Sequence, residues 1–385
     1  MSRKHTTGSG AVLDLIRAGV TTRGDLQEQL GWSRVTLRRR IDELFEHGLI
    51  VHEGVESTGG RPREALAVNK DAGVLLALDV GSSHTHVAVT DLVSGVLSED
   101  EADIGLFDGP EAIFSWAGQV FDFLLGALGL PRDAVHGIGI GVPGPVDSHT
   151  GVLGDPQLDP RWDGVAVGDY VKDWGRAGAV VAVDRDVNLL AEAESRLGWP
   201  DVRNMVVVKA GIGLGCAIVA DGRVVRGSRG GAGQLSAPLR ERLSEPLRRL
   251  ETVASGAVAR DRLAASGQRI RTGNDIVALV AGGHEDAAGV VEEIGAVLGY
   301  ALADVVGLLN PAALIVGGTL AELDERFLDP IRRSAFAASH AFARRELRVE
   351  RSRTGAWGGV KGASLIAQDR LFEPDRISAL TRPAG

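Results

Sequence analysis

Between residues 31 and 64 the spacing of hydrophobic and polar positions changes twice. Leu37, Ile41 and Leu44 recur at i, i+4 and i+7, which predicts a helix with one apolar face, capped at Ser33 and running to about His47. Gly48 supplies the positive-φ residue that ends it. Residues 49–51 (LIV) then read as a short strand, 54–60 as a turn and 64–68 as the return strand. Upstream, residues 11–18 (AVLDLIRA) have helical spacing, and residues 22–30 form a second helix with Thr22 as cap and Gly31 as stop. Helices followed by a hairpin in this order are the pattern of a winged helix-turn-helix.

A different pattern begins at Gly73. Residues 74–79 (VLLALD) are a buried-strand run entering Asp79-Val80-Gly81-Ser82-Ser83, and 87–90 and 96–97 continue it as a meander. Residues 110–128 are a long amphipathic helix; 137–142 (GIGIGV) are a small buried strand entering Pro143-Gly144-Pro145-Val146-Asp147. Residues 180–183 lead into Asp184-Arg185-Asp186-Val187-Asn188 and a helix over 189–196. The second half repeats the scheme. A strand at 205–208 enters Ala210-Gly211-Ile212-Gly213-Leu214-Gly215, and 216–219 pairs with 223–225 around Asp221-Gly222, a hairpin signal. A glycine-rich loop (227–233), mostly helical stretches (239–282 and 286–309), a strand at 313–316 entering Gly317-Gly318 and a last helix at 360–371 follow. Two halves, one opening on Asp-x-Gly and the other on Gly-x-Gly, predict duplicated α/β lobes around a cleft. The expected domains are a winged helix at 1–70, a first lobe at 71–190 completed by the C-terminal helix (about 360–385), and a second lobe at 191–359.

Composition narrows the function classes. The chain has 385 residues, 44% of them hydrophobic, and a net charge of -9. Residues 1–70 hold 11 basic and 9 acidic residues, so the surplus of acid lies entirely in the body. A slightly basic head on an acidic body fits a DNA module, with affinity raised by pairing two heads. Cys216 is the single cysteine, which excludes an internal disulfide and a thiolate-rich zinc site. Without a long apolar run or a signal-peptide core, the expected location is the cytoplasm, with no membrane partner.

The head carries its own chemistry. Ser33, Arg34 and Thr36 occupy the first turn of the third helix, where a side chain can reach base edges in the major groove; Arg38, Arg39 and Arg40 follow on its polar surface. At the hairpin tip, Gly60 lets the backbone approach the sugars, and Arg61 can enter a minor groove. The alternative is a solvated basic helix. The implied partner is a palindromic double-stranded operator read by two copies.

These blocks together resemble the ROK family (repressors, uncharacterised frames and sugar kinases), specifically its winged-helix regulators. GVPGPVD at 141–147, DGRVVRGSRGGAGQL at 221–235 and STGGRP at 57–62 carry the resemblance, which spans nearly the whole chain. It implies an actin-like, hexokinase-like α/β body of duplicated ribonuclease H-like lobes, assembled as a homodimer or homotetramer, with a sugar or sugar derivative in the cleft. It places a vestigial catalytic base at Asp186 and remnants of nucleotide loops at Asp79, Gly81, Gly211, Gly213, Gly317 and Gly318. Where the family's second phosphate loop reads Gly-Thr-Gly, this chain has Lys209-Ala210-Gly211: the hydroxyl is gone and a lysine stands where backbone should approach the nucleotide. Effector positions carried over are Gly144, Arg185, Asp186, Asn188, Gln234 and Glu251. Arg185 replaces the family's Asn, and Gln234 and Ala237 replace its Glu and His. Arg185 brings a permanent charge and a fork shaped for carboxylate or phosphate, so the effector is expected to be anionic or otherwise modified; alternatively Arg185 pairs with Asp184 or Glu251. Without the His and cysteines of the family's zinc loop no metal is expected, and packing by Leu239, Leu243, Leu247 and Leu250 is expected to hold that loop. His84 and His86 read as ordinary strand residues. The expected function is an effector-responsive DNA-binding regulator, a repressor by class, without a cofactor and without enzymatic activity; the alternative is a hexose kinase carrying a DNA-binding head.

Overall fold

The computed structural model describes residues 8–56, 63–147, 150–154, 159–235 and 250–381. The head begins with helices Ser9–Arg17 (α1), Arg23–Leu30 (α2) and Arg34–Glu46 (α3). Both predicted caps form: the Thr22 hydroxyl accepts from Asp25 N and the Ser33 hydroxyl from Thr36 N, while Gly31 and Gly48 take positive φ. Leu37, Ile41 and Leu44 face inward. The hairpin strands, Ile50–Glu56 (β1) and Arg63–Val68 (β2), pair antiparallel. β1 runs through 54–56, which the sequence reading assigns to the turn, because the ladder absorbs Gly54 in an irregularity between Glu53 and Val55. The tip with Gly60 and Arg61 lies outside the described residues.

The body contains two five-stranded sheets of the same plan. The first uses Val74–Val80 (β3), Thr85–Asp91 (β4), Val96–Ala102 (β5), Val135–Val142 (β6) and Val180–Arg185 (β7), in the order β5-β4-β3-β6-β7. The second uses Met205–Ala210 (β8), Leu214–Ala220 (β9), Arg223–Val224 (β10), Ala313–Gly317 (β11) and Arg348–Arg351 (β12), in the order β10-β9-β8-β11-β12. In each, three antiparallel strands are followed by two parallel ones. The expected duplication is therefore present in the strand order itself.

Among the described residues the helices of the body are Pro110–Ala127 (α4), Val167–Val171 (α5), Asp186–Ala193 (α6), Gly256–Ala265 (α7), Gly273–Ala281 (α8), Glu285–Leu309 (α9), Glu325–Ala338 (α10), Gly358–Leu371 (α11) and Pro374–Leu380 (α12). α6 continues into a π turn, Glu194–Gly198. Helix α10 and strand β12 are absent from the sequence reading. α10 hides behind an internal proline, Pro330, and β12 is the charged tetrapeptide RVER at a sheet edge.

Two glycines set the spacing around α11. A Cβ on Gly139 would lie 1.9 Å from the Ala363 carbonyl oxygen, and one on Gly362 would lie 1.9 Å from that of Leu189. The small GIGIGV strand thus lets α11 wedge against β6 on one side and α6 on the other. The last helix, α12, turns to the head: Gly10 N donates to Ser378 Oγ at 3.2 Å, and Ile377 joins a core with Val12, Ile16 and Leu371. Among the described residues no helix is long and apolar enough to cross a membrane.

Candidate functional site

A cleft of about 750 Å³ is lined by the ends of β3, β7, β8 and β11 and by the loops that follow them. Asp79, on β3, is 3% exposed. Asp186 opens α6, and Lys209 comes from β8 on the other sheet. The Lys209 ammonium donates to Asp79 Oδ2 at 3.1 Å and pairs with Asp186 Oδ2 at 3.0 Å. Burial pulls this ammonium toward neutrality, but Asp186 and Asp79 outweigh it and hold the group above the ordinary lysine range. One side chain therefore ties the two lobes together at the point where two carboxylates converge. Gly359 makes room for the arrangement: a Cβ there would lie 1.9 Å from Asp79 Oδ2.

Arg185 ends β7 and is 4% exposed. Its Nη1 donates to the Ala232 carbonyl at 2.6 Å, within the glycine-rich loop. The pairing with Asp184 or Glu251 weighed from the sequence does not form through the guanidinium. Asp184 Oδ1 instead accepts from the Arg185 backbone N–H (2.7 Å) and from Asn188 Nδ2 (2.7 Å), and its Oδ2 accepts from Arg226 Nε (2.6 Å). Glu251 Oε1 accepts from Leu214 N at 2.8 Å. Among the described residues no carboxylate stands in an ion pair with Arg185, so a buried guanidinium faces the cleft with donors to spare.

Of the sequence-derived cleft residues, Asp79, Gly81, Gly144, Arg185, Asp186, Gly211, Gly213, Gln234, Glu251, Gly317 and Gly318 all line the cavity. Asn188 is the correction: it is fully buried, outside the lining set, and serves Asp184. His84 and His86 are the second correction. His84 precedes β4, both rings line the cleft, and each meets a carboxylate: His86 Nε2 lies 2.9 Å from Glu101 Oε2 and His84 Nδ1 3.5 Å from Asp103 Oδ1. Burial holds His86 below the ordinary imidazole range; Asp79 and Glu101 oppose this without cancelling it. Cys216 is a buried free thiol that burial pushes up to about 12. Among the described residues no group of three or more His, Cys, Asp or Glu could hold a metal ion. In the expected packing quartet Leu250 is buried, while Leu239, Leu243, Leu247 and Ala237 lie outside the described residues.

On the head, the predicted readers separate into two groups. Arg34 is exposed at the first position of α3, and Arg38 and Arg39 are exposed with loose pairs to Asp42 (3.6 Å) and Glu43 (3.8 Å). Ser33 and Thr36 share a hydrogen bond at 2.9 Å while Ser33 caps the helix, so both hydroxyls have structural duty. Arg40 is half-buried: its Nη1 meets both Glu43 oxygens at 3.1 and 2.9 Å, and Glu43 also accepts from the Ser9 hydroxyl of α1. Arg40 is therefore engaged within α3, by the carboxylate that links α3 to α1. Val35, absent from the sequence-derived set, is 80% exposed beside Arg34. A bare apolar side chain in the first turn is the signal that could have found it, since a thymine methyl is a suitable apolar contact.

The sequence profile of the ROK family matches residues 75–370. The xylose repressor of Caldicellulosiruptor bescii is 25% identical over 378 residues, covering 92% of this chain and 94% of the relative. A crystal structure of a ROK family transcriptional regulator, a homologue of the E. coli MLC protein, superposes with a TM-score of 0.78 at 26% identity, covering 98% of both chains. A ROK family glucokinase from Streptomyces griseus, in complex with glucose and AMPPNP, reaches a TM-score of 0.63 at 24% identity; it covers 77% of this chain and 100% of its own.

Proposed function

The chain belongs to the ROK family, and from that premise we propose that it is a DNA-binding transcriptional repressor whose two-lobed body senses a sugar or sugar-derived anion. The observation that carries the reading is one of extent: the regulators cover 92% and 98% of this chain, whereas the glucokinase, at 100% of its own length, covers 77%. Arg34, Val35 and Arg38 at the start of α3 supply the surface for the major groove, and the hairpin supplies the wing. The head is taken as residues 1–70 and the lobes as 71–190, with the C-terminal helix, and 191–359. Two copies, as a homodimer or homotetramer in the cytoplasm, would set two α3 helices on a palindromic operator. The test is selection of genomic fragments by the purified chain. Recovery of a common palindrome, bound with an affinity that falls steeply with salt, is the expected result. Recovery of none would remove the reading.

The kinase alternative requires a free carboxylate base and a loop open to phosphate. Here Lys209 engages both Asp79 and Asp186, and Ala210 lacks a hydroxyl. A coupled ADP-release assay over a hexose panel with magnesium and ATP should read no sugar-dependent turnover. Turnover comparable to a hexokinase would reinstate the enzyme.

The anionic character of the effector rests on Arg185. In a thermal-shift panel of glucose, xylose, gluconate and glucose 6-phosphate, an anionic member should raise the melting temperature, and Arg185→Gln should abolish that rise. Binding at about 100 times Kd stabilises by ~2.7 kcal/mol, well within detection. Stabilisation by the neutral sugars alone would remove the anion from the proposal.

A further inference from the structure

The ion pairs at the cleft wall do not end there. Arg226, which holds Asp184 through Nε, reaches Glu192 Oε1 through Nη2 at 2.9 Å. Glu192 Oε2 meets Arg196 Nη2 at 3.0 Å, in the π turn that extends α6. Arg196 also binds Asp369 on α11, and the other oxygen of Asp369 accepts from Arg17 Nη2 of α1 at 2.6 Å. Arg17 Nη2 bonds Gln368 Oε1 as well (3.2 Å), and its guanidinium lies 5.4 Å from the centre of the Phe372 ring. From the other end of α1, Ser9 grips Glu43 of the recognition helix α3. The result is an unbroken alternation of acid and base, Asp184–Arg226–Glu192–Arg196–Asp369–Arg17, from directly behind the cleft-lining Arg185 to the head.

Each interior member is shared between two partners of opposite sign. The two acids nearest the cleft, Asp184 and Glu192, have side chains only 6% and 8% exposed. Buried carboxylates cannot be left unpaired without a large penalty. If the segment carrying Arg226 shifts, Glu192 must draw more heavily on Arg196, and Arg196 can do so only by loosening Asp369. That carboxylate is the ionic partner of Arg17 on the head. The segment is placed to respond to a ligand, because the loop that follows it carries Ala232, the hydrogen-bond partner of Arg185, and Gln234 in the cleft. Burial would raise Asp369, but Arg196 and Arg17 outweigh it and hold this carboxyl below the usual range; it is charged and committed to both partners.

We propose that this charge relay transmits the state of the cleft to the DNA-binding head, with Arg226 and Asp369 as positioning residues one step in from its two ends. The inference deepens the regulator reading and rests on it for meaning. Its test uses neither DNA nor effector, so the two can fail separately. Hydrogen exchange is measured on the full chain, comparing Arg226→Met with wild type. Amides of α1 should exchange about tenfold faster, while those of β11 and α9 in the second lobe stay unchanged. Arg226→Lys should recover most of the protection. Asp369→Asn, a half-buried and milder change, should reciprocally loosen residues 223–226, because coupling between two sites is mutual. In the double variant the two effects on α1 should not multiply. Unchanged α1 exchange in Arg226→Met, a rise spread evenly over β11 and α9, or multiplying effects would each overturn the relay. Should Arg226→Met fail to fold, Asp369→Asn alone decides: no change at 223–226 overturns it.

Discussion

Arg34→Ala lowers the affinity of the chain for its selected operator by about 5- to 150-fold per head, the ~1–3 kcal/mol carried by one good bidentate contact to a base. Arg34 occupies the first position of α3, is exposed, and makes no ion pair among the described residues, so its guanidinium needs no release before it meets guanine. Because two heads bind one palindrome, the loss enters twice in the dimer. Fluorescence anisotropy at one fixed salt concentration reads the affinity; a melt shows the fold intact. Two neighbouring substitutions calibrate the result. Val35→Ala should weaken only operators with thymine at the contacted step, and exchanging that thymine for uracil should erase the difference. Arg40→Ala should act through the head's stability, since Glu43 loses its bidentate partner. Unchanged affinity in Arg34→Ala would take α3 out of the groove.

The local devices were legible because each depends on neighbours in sequence. Thr22, Ser33, Gly31 and Gly48 do the work their positions imply, and the Asp221-Gly222 turn forms with φ of 54° and 73°. What escaped depends on tertiary placement. Alternation along β4 says which residues share a face, but not that His86 faces a cleft between two sheets. α10 carries an internal proline, Pro330, and its cap residue Asp324 takes φ 48° instead of the extended backbone usual for a cap. Arg40 is indistinguishable from Arg38 and Arg39 until Glu43 is seen between it and Ser9. Lys209 was visible as a misfit in a phosphate loop; that it would reach Asp79, 130 residues away, was not. The relay residues come from four separate segments of the chain, and only Glu192 and Arg196 stand at a spacing, i to i+4, that the sequence could show.

Lys209→Met costs ~3–5 kcal/mol of stability, the penalty for removing one partner of a buried charge cluster. The substitution keeps the length of the side chain and deletes its charge, leaving Asp79 and Asp186 facing one another without a cation. Urea unfolding at neutral pH measures the loss. The double variant Lys209→Met/Asp186→Asn should recover much of it, because the repulsion disappears with the second charge; a cavity or packing defect would leave the double variant no better than the single. The pH dependence gives an independent check on sign. The folded-state pKa of Lys209 is raised above its unfolded value, so its stabilisation is fully present below about pH 10.5. It is lost only as pH rises through the folded value. Wild type and Lys209→Met should therefore differ by a constant amount from pH 6 to 9 and converge only in strong alkali. A difference that vanished at neutral pH would mean that the ammonium does not hold the lobes together, and with it would go the strongest structural argument that the body senses rather than phosphorylates.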